Sequence, residues 1–186
     1  MMSTEPPPTN PPKTTTPQNP PPSTPPWPPS TGVWATYPLS CHCAAIQYTM
    51  TLSPPLLESQ AEGKGIYTAI ECECTHCERK GQISVHPLMK NVVFTQGLVS
   101  SPPPLSRLLL TFHVIPKEHR AEYQTGSRKN PHWFCKLCGS SLGCDLTWVS
   151  REVFGQEERC TINLRMLRDI RPGELTIRKD GYMRGV

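Results

Sequence analysis

Residues 41–52 read CHCAAIQYTMTL and combine the two signals that decide the fold, a pair of cysteines and a strict alternation. From residue 44 onward apolar side chains, among them Ile46, Tyr48 and Met50, alternate with small or polar ones. Successive side chains of a strand point to opposite faces, so this period of two predicts a strand over 44–52 with one buried face. The two cysteines before it stand at alternate positions, and on extended chain both sulfurs would lie on the same side.

Further stretches have the apolar and β-branched composition of strands, at 66–70, 82–85, 92–95, 108–114 and 160–164. Proline, glycine and asparagine interrupt the chain between them, and no long stretch repeats its apolar residues with a helical period. Residues 166–170 are expected to form only a short helical turn. The sequence therefore predicts a mainly β domain with long loops.

Residues 1–30 differ in composition from the rest of the chain. They contain 13 of the 23 prolines, together with Ser, Thr, Asn and Gln, and only two charged side chains. Proline runs of this kind cannot form ladders of backbone hydrogen bonds, and they favour extended, hydrated conformations. We therefore expect residues 1–34 to be a disordered Pro-rich tail and residues 35–186 to form the domain. The segment around Trp27, which reads PPWPP, is the candidate in this tail for binding a protein partner.

Targeting and membrane-spanning patterns are not found in the sequence. The tail has neither the basic start nor the apolar run of a secretory signal, and it has no arginine, which a mitochondrial presequence requires. No apolar stretch approaches the thickness of a bilayer. We expect an intracellular protein, in the cytosol or the nucleus, without membrane contact. In that reducing environment clustered cysteines indicate metal or redox chemistry, and nine cysteines is an odd number for a paired disulfide framework.

Seven of the nine cysteines fall into three clusters, in residues 41–43, 72–77 and 135–138. The second and third contain C-x-x-C, a spacing in which a tight turn brings both sulfurs onto one ion. Zn²⁺ prefers four ligands in a tetrahedron, with sulfur at about 2.3 Å. The spacing therefore predicts zinc ligands and argues against thiols that are merely buried.

The seven thiolates divide naturally into four and three. A closed structural zinc site, clamping the first strand to a distant segment, would be formed by Cys41, Cys43, Cys135 and Cys138. A second zinc would be bound by Cys72, Cys74 and Cys77. Three protein ligands and an open position are typical of a catalytic zinc, whose fourth ligand is water or a substrate thiol.

The second zinc also has a structural interpretation, in which another side chain closes the site. The candidates for this fourth ligand are His76, His86, Cys144 and Cys160. His76 is also a candidate catalytic residue or substrate contact, because it lies inside the cysteine loop. His132 and Trp133 are expected to pack against the structural zinc site, since they precede Cys135 directly.

The formal net charge of +4 would by itself be compatible with nucleic acid binding. Seven zinc-bound thiolates would lower this charge by seven and two Zn²⁺ ions would raise it by four, which leaves +1. Electrostatic attraction to phosphates is then weak, so nucleic acid is not an expected partner.

Three motifs, in the same order along the chain, resemble those of one family. Residues 41–48, CHCAAIQY, resemble its opening C-H-C-G-A-V-x-F, with Ala44 in place of the usual glycine. Residues 72–81, CECTHCERKG, resemble its C-x-C-x-x-C-x-x-x-G, and residues 134–142, FCKLCGSSL, match F-C-x-x-C-G-x-x-L. The family is that of the glutathione-dependent formaldehyde-activating enzymes, which includes centromere protein V.

The resemblance implies a Mss-four-like fold of packed antiparallel sheets and the same division of zinc ligands. It also implies a carbon–sulfur lyase activity, the condensation of formaldehyde with glutathione to S-(hydroxymethyl)glutathione, with glutathione as co-substrate. Arg79 and Lys80, which follow the second cluster, are candidates for binding the carboxylates of such a peptide-like thiol. The alternative is a non-catalytic, zinc-stabilised interaction module of the centromere protein V type, with the Pro-rich tail recruiting a protein partner.

Overall fold

A computed structural model describes residues 24–96, 119–125 and 128–180. These residues form a mainly β structure with two sheets, as the sequence predicts. The strands are β1 Ala35–Ser40, β2 Gln47–Leu52, β3 Ala69–Cys72, β4 Ile83–Val85, β5 Val92–Gln96, β6 Arg120–Gln124, β7 Pro131–Cys135, β8 Ser141–Asp145, β9 Cys160–Asn163 and β10 Ile177–Asp180. The helical segments are α1 Thr75–Lys80, a π-helical turn at Val149–Val153, and 3₁₀ turns at Glu58–Gln60, Met89–Asn91, Leu164–Met166 and Pro172–Glu174.

The smaller sheet has the strand order β1-β2-β5 and is antiparallel throughout. Its central strand is the alternating segment of the sequence, and Tyr48 and Met50 are buried as predicted. The strand begins at Gln47, later than predicted, because the chain first makes a turn. In this turn Ala44 has a φ of 58°, and its N–H donates to the carbonyl oxygen of Cys41 at 3.0 Å.

The larger sheet has seven strands in the order β10-β3-β4-β9-β8-β7-β6. Strand β10 is parallel to β3, and the other neighbours are antiparallel. Four predicted strands correspond to β3, β4, β5 and β9, whereas β1, β6, β7, β8 and β10 were not predicted. Pro131, expected to interrupt the chain, begins β7, a position where proline costs no ladder hydrogen bond. The strand predicted at 108–114 lies outside the described residues.

The two faces of the larger sheet differ in polarity. Directly paired residues share a face, so the register places Val85, Ile162 and Trp133 on one side, where they are buried in the hydrophobic core. We call the opposite side the polar face, and it carries Cys72, Ser84, Thr161, Asn163, Cys144, His132 and Tyr123. The sheet therefore separates an apolar core from an opposite face rich in hydrogen-bonding and thiol groups, several of which are themselves buried.

Helix α1 lies over the polar face, because its His76 ring contacts the ring of His132 in β7. The helix begins after Cys74, whose sulfur accepts a hydrogen bond from the Cys77 N–H at 3.4 Å. It ends at Gly81, which has a left-handed φ of 58°. The sequence predicted only a tight turn here, since a helix of six residues is too short to show a period.

Helical structure in the described residues is confined to such short segments. The turn predicted at 166–170 is found instead at Leu164–Met166. It begins earlier because the Asn163 side chain accepts a hydrogen bond from the Arg165 N–H at 3.2 Å. None of the helices in the described part of the chain is long and apolar enough to cross a membrane.

The described end of the Pro-rich segment packs against the domain. Trp27 is only 5% exposed, and its Nε1–H donates to Oε1 of Gln156 at 2.7 Å. Its ring centroid lies 5.3 Å from that of Phe154, and Cζ of Arg159 lies 4.9 Å from the indole ring. For Trp27 and Val33, which is also buried, the structure differs from the expected disordered tail. Burial of the large indole favours this docking, while residues 1–23 lie outside the described residues.

We expect Trp27→Ala to lower the free energy of unfolding by about 3–5 kcal/mol, because it removes a buried aromatic ring and its hydrogen bond. Trp34→Ala is the matched control, since Trp34 is 50% exposed and its loss should change stability by less than about 0.5 kcal/mol. Urea denaturation of the full chain measures both. Equal stabilities of the two variants would contradict the docking of Trp27.

Candidate metal centres

The first cysteine cluster has the geometry of a closed tetrahedral site. Its four sulfur atoms lie within 4.8 Å of one another and belong to Cys41, Cys43, Cys135 and Cys138. The sulfur of Cys43 is 3.6 Å from that of Cys41 and 3.7 Å from that of Cys135. A tetrahedron with metal–sulfur distances of about 2.3 Å has edges of about 3.8 Å, whereas a disulfide bond measures about 2.0 Å. The cluster therefore fits one zinc ion, as the sequence predicts.

The backbone around this cluster holds the sulfurs in place. The N–H of Ile46 donates to the sulfur of Cys41 at 3.3 Å. At the other end, Gly139 closes the C-x-x-C turn with a φ of 72° and donates its N–H to the carbonyl oxygen of Cys135 at 2.9 Å. Cys41 and Cys135 are also members of the hydrophobic core. This cluster is thus a structural element that joins the two sheets.

The protonation of the first cluster is uneven when no metal is bound. Burial raises the pKa of the Cys41 thiol to about 12. Burial also acts to raise the pKa of Cys138, but hydrogen bonds from Ser140 and Cys43 together outweigh it and lower that pKa to about 5. A metal ion must displace the proton of Cys41, so its affinity for this cluster is expected to fall at low pH.

The second cluster contains three sulfurs, those of Cys72, Cys74 and Cys77, all within 4.8 Å of one another. Cys72 ends β3, Cys74 is the N-cap of α1, and Cys77 lies within the helix. The strand end and the first helical turn therefore place the three sulfurs together. In the described part of the chain, no further His, Cys, Asp or Glu joins this group. Its thiolates suit zinc and other metals that prefer sulfur.

The four candidates for a closing ligand are all placed outside this group. His86 lies in the core, with Nδ1 3.4 Å from the hydroxyl of Tyr67. Cys160 is also part of the hydrophobic core. Cys144 and His76 lie on the same side of the sheet as the cluster, but neither supplies an atom to the group.

The three sulfurs of the second cluster concentrate one negative charge when no metal is bound. Hydrogen bonds from the thiols of Cys72 and Cys77 lower the pKa of Cys74 to about 2. Hydrogen bonds with Cys72 and Cys74 raise the pKa of Cys77, and the hydrogen bond with Cys74 raises the pKa of Cys72. A cation would bind to a thiolate that is already formed and would displace two protons.

Two imidazoles and one phenol lie beside the second cluster. The centroid of the His76 ring lies 4.0 Å from that of His132 and 5.9 Å from that of Tyr123. Nε2 of His76 and Nδ1 of His132 are buried and have no hydrogen-bond partner. Burial lowers the pKa of His76 and also lowers that of His132, to about 4, so both rings are neutral near physiological pH.

The position of His132 corrects a sequence prediction. His132 and Trp133 were both expected at the structural zinc site, but they are neighbours in β7 and point to opposite faces. Trp133 is in the hydrophobic core, as expected of a packing residue, whereas His132 faces His76 near the second cluster. Recognising β7 as a strand would have separated the two side chains.

The predicted ligand-binding residues Arg79 and Lys80 lie in the last turn of α1 and are exposed. The structure does not bring either of them among the buried groups around the cysteines. A different arginine, Arg165, reaches this end of the helix, where its Nε donates to the carbonyl oxygen of Gly81. The sequence offered no signal for that contact.

We expect two zinc ions per chain and different consequences when each cluster loses a ligand. Cys135→Ser should lose one zinc and lower the free energy of unfolding by about 4 kcal/mol or more, because it opens a long loop. Cys74→Ser should lose one zinc but keep the fold. Elemental analysis and thermal denaturation measure the two effects, with Cys144→Ser as a control that keeps both ions. Equal destabilisation by the two ligand variants would contradict the division into a structural and an open site.

Comparison with protein-family models gives no match, and comparison with curated proteins gives none either. Among solved structures, the chain is similar to a crystal structure of a Rhodobacter sphaeroides protein from a structural genomics programme. The two share 23% sequence identity with a TM-score of 0.46, over 74% of this chain and 93% of the other.

Proposed function

We propose that the protein is a zinc-dependent enzyme of the carbon–sulfur lyase type, acting on adducts of a thiol and a small aldehyde. The reaction would be the formation or cleavage of S-(hydroxymethyl)glutathione or of a related adduct. The observation that carries this proposal is the second cluster, in which three sulfurs lie beside two unpartnered imidazole nitrogens and no fourth ligand joins them from the described residues.

The contrast between the clusters supports different roles for them. The first has four sulfurs, and two of its cysteines are part of the hydrophobic core, so it is suited to structural support. The second has three sulfurs and lies on the polar face, where hydrogen-bonding groups can meet a substrate. Three protein ligands leave a position on a tetrahedral ion for one external sulfur.

Zinc bound at the second cluster would act as a Lewis acid that favours the thiolate form of a substrate thiol. In the synthetic direction the thiol loses its proton, and its sulfur forms a bond to the carbonyl carbon. The π electrons of the carbonyl group move to its oxygen, which then takes up a proton. No other reactant is consumed, and cleavage is the reverse of these changes.

The chain itself contributes positioning to this reaction. Cys72 and Cys74 are fixed by the end of β3 and the N-cap of α1, and Cys77 by the helix. The rings of His76 and Tyr123 are stacked at an interplanar angle of 7° beside them. These contacts pre-organise the site, which lowers the cost of orienting the reactants.

The test of this proposal is thiol-dependent consumption of formaldehyde by the zinc-loaded protein. We expect a rate above the uncatalysed background with glutathione, and a loss of at least about 100-fold in Cys74→Ser, because the metal site is removed. Cys144→Ser is the matched control, since its cysteine lies on the same face but outside the cluster. A series of thiols, from 2-mercaptoethanol to glutathione, identifies the substrate class.

The proposal fails if wild type and Cys74→Ser consume formaldehyde at the same rate with every thiol. If, in addition, the binding of two zinc ions does not respond to thiol, this outcome would favour the non-catalytic interaction module.

Arg79 and Lys80 are tested in the same assay as contacts for the glutathione carboxylates. If they serve that role, Arg79→Gln and Lys80→Gln raise the KM for glutathione and leave that for 2-mercaptoethanol unchanged.

A further inference from the structure

Some buried polar atoms without a hydrogen-bond partner belong to residues in or next to the elements that hold the second cluster. In the described residues seven side-chain atoms are buried and unpartnered, and three of them belong to His76, Gln82 and His132. Gln82 is only 2% exposed, and its backbone N–H donates to the carbonyl oxygen of Cys77. Folded proteins rarely leave such atoms unsatisfied, and the two imidazole nitrogens, whose rings are in contact, indicate a site for a polar ligand.

The side chain of Gln82 belongs to the polar face. Its Nε2 donates to the hydroxyl oxygen of Ser84 at 3.1 Å, which leaves its own Oε1 without a donor. Ser84 is paired with Asn163 across β4 and β9, and Asn163 is occupied by the Ser141 carbonyl at 2.9 Å. The polar residues around Gln82 therefore satisfy one another, and the amide oxygen is the group left to accept a hydrogen bond.

The position of His132 is set by rigid elements on both sides. Its backbone pairs with Cys144 in β8 and Tyr123 in β6, inside the larger sheet. Its ring is tilted by 43° against that of His76, which itself stacks on Tyr123. Since His76 lies between Cys74 and Cys77 in the chain, the imidazole of His132 is held close to the cluster that would bind a thiol.

We propose that His132 binds the oxygen atom of the substrate, so that the site recognises S-hydroxyalkyl adducts by both ends. Zinc held by the second cluster would bind the sulfur end, and the Nδ1–H of His132 donates a hydrogen bond to the hydroxyl or carbonyl oxygen. Oε1 of Gln82 accepts a hydrogen bond from the polar part of the bound molecule. This inference rests on the proposed thiol–aldehyde function, and it names the adduct's oxygen as the feature that His132 selects.

The rival role for His132 is that of a fourth metal ligand. The structure favours the substrate contact, because none of the nitrogens of His132 joins the three sulfurs in a group within 4.8 Å. The two roles differ in what the loss of His132 does to the metal. A ligand would take one zinc with it, whereas a substrate contact would leave the zinc content unchanged.

The experiment compares two stable glutathione derivatives, S-(2-hydroxyethyl)glutathione and S-ethylglutathione, which differ by one hydroxyl group. Binding to the zinc-loaded full chain is measured by calorimetry. We expect the wild type to bind the hydroxyethyl compound about 10-fold more tightly, as one hydrogen bond contributes. His132→Phe should bind both equally with two zinc ions retained, and His132→Asn should keep part of the preference. His119→Phe is the matched control and should behave as wild type, because His119 belongs to neither cysteine cluster.

The inference is overturned if His132→Phe keeps the preference, if it loses one zinc, or if the wild type binds both compounds equally. A histidine NMR measurement on the wild type guards against a variant that does not fold. The ring signals of His132 should shift with the hydroxyethyl compound and not with the ethyl compound. If instead neither derivative binds and no thiol supports turnover, the proposed function itself fails, an outcome distinct from equal binding of both.

Discussion

The approach of Cys43 to Cys135 is the contact on which the rest of the structure depends. Their sulfurs are 3.7 Å apart although 92 residues separate them in the chain. Cys43 follows β1 in the smaller sheet, and Cys135 ends β7 in the larger one. A cross-link across a loop of this length stabilises a fold by about 4–5 kcal/mol in the chain-entropy account. A metal ion shared by these sulfurs would therefore hold the two sheets against each other.

The joining of the two sheets at the first cluster also determines the surroundings of the second cluster. With the core face of the larger sheet closed by the smaller sheet and the structural site, the opposite face is left to polar side chains. Cys72 shares that face with His132, and α1 brings His76 to it. The fold thus places one cysteine cluster between the two sheets, with two of its members in the hydrophobic core, and the other among hydrogen-bonding side chains.

The parts predicted from the sequence are those with a local signal. The alternation around Tyr48 identified β2, and the spacing of the cysteines identified both clusters with their correct membership. Strands β7 and β8 were missed because neither alternates cleanly between polar and apolar residues: Trp133 and Phe134 are adjacent in β7, and Leu142 is followed by Gly143 in β8. The helix α1 was missed because its caps, and not a periodic pattern, define it.

Contacts between residues that are distant in the chain are the other feature that the sequence does not indicate. The docking of Trp27 depends on Arg159 and Gln156, which are more than a hundred residues away, and composition alone placed it in a disordered tail. In the same way, the neighbourhood of His76 and His132 exists only because α1 lies over the sheet. A single sequence carries no signal for such pairs, since no local period connects them.

The central claim, that one site is closed and the other is open to a thiol, is tested most directly by X-ray absorption at the zinc edge. This division into a closed and an open site predicts seven sulfur ligands shared between two zinc ions in the protein alone. It also predicts one additional sulfur when glutathione is added, since the thiol would fill the open position at the second cluster. A sulfur count that does not change with glutathione, or a single zinc per chain, would contradict it.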